Sequence, residues 1–97
     1  MAETDAPIGS ELRTGGGLTF LHVEGFSRSG LCSGEQLLAF SPSFAPPHLL
    51  YGIVQRRGRG AKKITAARVD VHPSGSVTAA ERIPAGSALS GDLAWPL

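Results

Sequence analysis

Cysteine, tryptophan and tyrosine each occur once in the 97 residues, and there are only three histidines. The lone Cys32 cannot close a disulfide within the chain. His22, His48 and His72 are too scattered to form a zinc-type ligand set, so no metal and no cofactor are expected. Charge of either sign is scarce as well. Nine basic residues against eight acidic ones leave a formal +1, too balanced for a surface adapted throughout to nucleic acid. No apolar run is long enough to span a bilayer, so membrane insertion is not expected. The first twelve residues include Glu3, Asp5 and Glu11 and lack a basic segment followed by an apolar one, so no secretory leader is expected. Nucleophile-elbow and phosphate-loop spacings are also missing, and the carboxylates Glu24, Glu35, Asp70, Glu81 and Asp92 do not fall in apolar-flanked pairs. These absences point away from an enzyme.

The stretch Lys62–Ile83 holds the strongest structural signal. Val69, Val71 and Val77 alternate with Arg68, Asp70, Ser76 and Thr78, and Pro73-Ser74-Gly75 can reverse the chain between them. Period-two alternation about a turn predicts a β-hairpin. Leu18–Val23 predicts a further strand, with Leu18, Phe20 and His22 on one face and Thr19, Leu21 and Val23 on the other. Both faces are largely apolar, as in a strand that is central or covered by a neighbouring subunit. Short strands are also predicted over Gln36–Phe40, Leu49–Gln55 and Ser87–Trp95. Gly52 marks a bulge or a close backbone approach, and Gly91-Asp92 a bulge or tight bend.

Between these strands, Ser41–Pro47 carries three prolines and can be neither helix nor central strand, so it is expected to cross between sheets with Phe40 and Phe44 in the core. Cys32 fits a small, partly buried hydrophobe. Six or seven short strands punctuated by glycine and proline predict an all-β fold, a small antiparallel β-sandwich or jelly-roll-like domain over residues 18–97. Met1–Gly17 is acidic at first and ends in three glycines. It reads either as a flexible N-terminal arm or as an attachment peptide ordered on docking. A domain this small buries only about 60–65% of its unfolded surface, and with neither disulfide nor metal, self-association is its expected support.

Arg56, Arg57, Arg59, Lys62 and Lys63 form the only charge run. It is either a solvated turn that guards a sheet edge or a contact for an anionic ligand. Trp95 is expected as a plug in the core or at a subunit interface, with a sugar-stacking platform as the alternative.

Val23-Glu24-Gly25, the proline-rich crossover from Phe40 to Pro47, the hairpin Val69-Asp70-Val71 to Gly75-Ser76-Val77 and the closing Trp95-Pro96 resemble the small β-sandwich knobs at the tips of tailed-phage fibres, spikes and baseplate proteins. The resemblance spans Leu18 to Leu97. It implies a structural and adhesive component of a phage or phage-like particle: a spike, spike base or fibre knob. Such knobs are usually homotrimers, and a fivefold ring at a capsid vertex is the alternative. Leu18, Phe20, Leu21 and Trp95 are the candidate subunit interface. Met1–Gly17 would dock on other particle proteins, and the five cations would contact an anionic host surface polysaccharide. The protein would stay in the cytoplasm during assembly and then stand on the particle's exterior. The competing reading is a small nucleic-acid- or ligand-binding module that uses Arg56, Arg57 and Arg59 with Tyr51 nearby.

Overall fold

Alternation along the strands decides which side chains of this chain meet. In a computed structural model describing residues 8–27, 29–58 and 64–96, the chain forms β1 (Gly9–Gly15), β2 (Leu18–Ser27), β3 (Gln36–Ala39), β4 (Leu50–Arg57), β5 (Ile64–Val71), β6 (Ser76–Ala79) and β7 (Ser87–Pro96). A single 3-10 turn, Pro42–Phe44, interrupts the crossover between β3 and β4. The strands make one antiparallel sheet in the order β1-β2-β7-β4-β5-β6-β3. The all-β class read from the sequence is therefore the observed one.

The sheet hinges on β7. It pairs with β2 along all ten residues, from Leu18 opposite Pro96 to Ser27 opposite Ser87. With β4 it pairs only through Ser90, Leu89 and Ala88, opposite Gln55, Arg56 and Arg57. Beyond Ser90 the two strands part, and the curled, nearly closed sheet buries its inner face. That face supplies Leu21 and Val23 from β2, Val54 from β4, Val69 and Val71 from β5, Val77 from β6, and Leu89, Leu93 and Trp95 from β7. Burying these β-branched and aliphatic side chains is what holds so small a sheet closed.

The hairpin expected over Lys62–Ile83 is present as β5 and β6, and His72-Pro73-Ser74-Gly75 forms its turn. Several other expectations need correction. The ordered domain begins ahead of Leu18: Gly9–Gly15, expected within a flexible arm, is a strand paired with β2 residue by residue. Its glycines are not a linker. Gly16 and Gly17 have φ of +60° and +79°, the two positive angles that a two-residue turn between twisted strands requires. Met1–Pro7 lie outside the described residues.

Gly91-Asp92 does not bend the last strand, because β7 keeps unbroken register with β2 through both residues. Gly91 is small because a Cβ there would sit 3.0 Å from the side chain of Val54. Gly52 makes no bulge but is a close approach, the other alternative expected of it, with the Leu93 side chain against its backbone. The irregularity in pairing lies between Gln36 and Leu38, where β3 meets β6. Phe40 packs as expected, stacked on Trp95 at 5.6 Å between ring centroids. Phe44, expected in the core, is exposed, and its contribution is its backbone carbonyl, which accepts from Trp95 Nε1 at 2.7 Å. Cys32 is exposed on a loop rather than partly buried.

Candidate functional site

The outer face of the sheet is concave where four strands run side by side. Opposite partners in adjacent antiparallel strands share a face, so register alone builds two rows of outward side chains. One runs Phe26, Ala88, Arg57, Ile64; the next runs Glu24, Ser90, Gln55, Ala66. Small residues from β7 form the floor, and longer ones from β2, β4 and β5 form the walls. The result is an open groove of about 410 Å³ that brings together Glu24, Phe26, Gln55, Arg57, Ile64 and Ser90. It offers an aromatic ring and an aliphatic wall beside a carboxylate, an amide, a hydroxyl and a guanidinium, a set suited to a polar ligand with some apolar surface.

The Glu24 carboxylate is held in place from outside the groove. His22 Nε2 lies 3.0 Å from Glu24 Oε1, and His22 Nδ1 lies 2.8 Å from Asp92 Oδ1. A neutral imidazole can donate from one nitrogen only, whereas the imidazolium donates from both. The hydrogen bonds to Glu24 and Asp92 accordingly raise the His22 pKa above 6.5. On the far side of His22 a second open concavity, about 580 Å³, is lined by Glu11, Arg13, Thr14, Phe20, His22 and Asp92. Glu11 and Arg13 form an exposed ion pair there at 2.9 Å.

The basic run is divided by the same alternation. Arg57 stands on the outer face in the groove. Arg56 faces the other way, half-buried opposite Leu89, so the two adjacent arginines do not act on one surface. Arg59, Lys62 and Lys63 lie outside the described residues. Of the candidate interface residues, Leu18 and Phe20 are outward and exposed, at 37% and 43%. Leu21 and Trp95 are at 0% and 3% and pack in the core of the single chain, the core alternative expected for Trp95. Tyr51 is exposed on β4, at the end away from Arg57. Among the described residues no three His, Cys, Asp or Glu side chains converge as a metal site.

Glu24, Phe26, Gln55 and Ser90 have no local motif that would single them out, because only the β2-β7-β4 pairing makes them neighbours. The one signal available was the alternation of small outward residues, Ala88 and Ser90, along β7.

The sequence matches no protein-family model and no curated protein. In three dimensions it is similar to the head domain of phage bIL170, a structure presented with the receptor-binding domains of lactococcal phages. The TM-score is 0.63 at 14% identity, over 93% of this chain and 84% of that one. At that identity the likeness speaks to architecture. The chain has the fold of a lactococcal phage head domain.

Proposed function

We propose that this chain is an adhesive head of a phage or phage-like particle, carried on the particle's exterior, and that the β2-β7-β4 groove contacts host surface carbohydrate. The observation that carries the reading is the fold shared with the bIL170 head domain along nearly the whole chain. The groove supports the ligand class. Phe26 can lie against a sugar ring face, while Glu24, Gln55 and Ser90 supply acceptors and donors for hydroxyls. Arg57 adds a fork of donors for an anionic substituent. In this reading the chain works as a homo-oligomer, a trimer in the first instance, and attaches to other particle proteins through Met1–Gly17. Gly9–Gly15 would take part in that attachment as an edge strand.

A microbial glycan microarray tests the ligand class. The wild-type chain is expected to bind a restricted set of envelope glycans, and Arg57→Glu to lose the acidic members of that set. A folded wild-type chain that binds no glycan contradicts the carbohydrate reading.

A further inference from the structure

The His22 imidazole stands where β1, β2 and β7 run side by side on the outer face, and it meets a carboxylate from each. Glu11 is its opposite partner on β1, Asp92 its opposite partner on β7, and Glu24 lies two residues on along β2. Arg13, next along β1 on the same face, takes Glu11 at 2.9 Å. His22 holds the other two, Asp92 from Nδ1 at 2.8 Å and Glu24 from Nε2 at 3.0 Å. Of this set only Glu24 lines the β2-β7-β4 groove, while His22 and Asp92 line the concavity behind it. The contact engages Glu24 through Oε1, so Oε2 remains to accept from a ligand hydroxyl.

Glu24 needs such a hold. Its side chain is long and 72% exposed, and a ligand that bound it unheld would have to order it. The imidazolium orders it beforehand and holds Asp92 at the same time. The neutral ring has one N–H and turns a lone pair toward the second carboxylate, so it must let one of them go. Asp92 makes the shorter contact, is fixed opposite His22 by strand pairing, and has one rotatable bond fewer than Glu24. The single N–H therefore stays with Asp92, and Glu24 is released.

We infer that His22 is a positioning residue for the groove, presenting Glu24 to the glycan while protonated and releasing it when neutral, with Asp92 as the competitor that makes the release happen. The protein then grips its ligand more tightly on the acidic side of the His22 transition. The inference rests on the groove being the carbohydrate site, and it adds which residue outside the groove sets its affinity and in which direction pH moves it. Ordering one long side chain in advance corresponds to about two- to tenfold in affinity. Because the two carboxylates raise the His22 pKa, the change falls above pH 6.5.

Surface plasmon resonance of the full-length chain on its strongest microarray glycan without groups that titrate near neutrality tests the inference. Wild-type affinity is expected to fall about two- to tenfold as pH rises through the His22 midpoint measured by NMR. His22→Gln is expected to show no step there. Asp92→Ala separates positioning from plain charge: with the competitor gone, the neutral ring gives its one N–H to Glu24, and affinity is expected to stay at the acidic wild-type level on both sides of the midpoint. If His22 acted only through its positive charge, Asp92→Ala would keep the step, because the imidazole still titrates. Melting curves verify that both variants fold. In the unliganded wild type the Glu24 carboxyl resonance is expected to move with the His22 midpoint, and a Glu24 resonance blind to it overturns the hold without reference to any glycan. Wild-type affinity that is the same on either side, or an Asp92→Ala variant that keeps the step, overturns the inference and leaves the carbohydrate reading standing. A folded chain that binds no glycan, with Glu24 still following His22, overturns the carbohydrate reading and the positioning role with it.

Discussion

His22 Nδ1 lies 2.8 Å from Asp92 Oδ1, across 70 residues of sequence, while the opposite nitrogen of the same ring reaches Glu24. The pairing of β2 with β7 places His22 directly opposite Asp92, and alternation places Glu24 next along the same face. Its first consequence is a pH dependence. Because the folded-state pKa of His22 is raised above 6.5, the stability that this cluster contributes is fully present below pH 6.5 and is lost as pH rises through the folded-state value. NMR titration of the imidazole is expected to give a midpoint above 6.5. Comparing denaturation of wild type with His22→Gln, the wild-type advantage is expected below that midpoint and to fade above it. A midpoint at or below 6.5 contradicts the two-carboxylate geometry.

Trp95 ties the crossover to the core. Its ring stacks on Phe40, and its indole N–H donates to the Phe44 carbonyl. Trp95→Ala removes a buried aromatic and is expected to cost about 3–5 kcal/mol in chemical denaturation. Trp95→Phe keeps the stack and loses the hydrogen bond, for an expected cost of about 1–2 kcal/mol.

Gly75 closes the β5–β6 turn at φ +91°, and a Cβ there would collide with the Phe40 carbonyl oxygen. The same backbone holds Phe40 N–H on the Gly75 carbonyl at 2.8 Å. Gly75→Ala is expected to destabilise by roughly 2–3 kcal/mol, since it meets both the left-handed backbone and a rigid neighbour.

Thr19 is wholly buried on the inner face of β2, and its hydroxyl has no partner among the described residues. Valine has nearly the same shape, no polar group to desolvate and a strong preference for strands. Thr19→Val is expected to stabilise the domain by about 1 kcal/mol, read from the denaturation midpoint.

The parts of the fold that sequence carries locally were legible in it. The Val69–Val77 alternation and the Pro73-Ser74-Gly75 turn announce β5 and β6 because strand period and turn chemistry are short-range properties. The β1–β2 hairpin was less visible. Gly15-Gly16-Gly17 has the composition of a linker, and only the alternation of Leu12 and Thr14 before it reveals a strand. Gly91 resembled a bend, but its small size answers to Val54 on a strand far away in sequence. The groove was out of reach for the same reason. Glu24, Gln55 and Ser90 become neighbours through the order β2-β7-β4, which no local pattern encodes. The basic run misled in a simpler way: adjacent residues in a strand point to opposite faces, so Arg56 and Arg57 cannot share one surface.

The central claim is that the groove floored by Ala88 and Ser90 is where the protein grips a cell surface. The most direct measurement compares fluorescently labelled wild type with Ala88→Trp on a panel of bacterial strains, with soluble envelope polysaccharide as competitor. Ala88 is exposed on the groove floor, so tryptophan fills the groove without removing a charge. The account predicts that wild type labels a subset of strains, that the polysaccharide of those strains competes, and that Ala88→Trp labels none. Equal labelling by the folded variant, or no labelling by wild type, would contradict it.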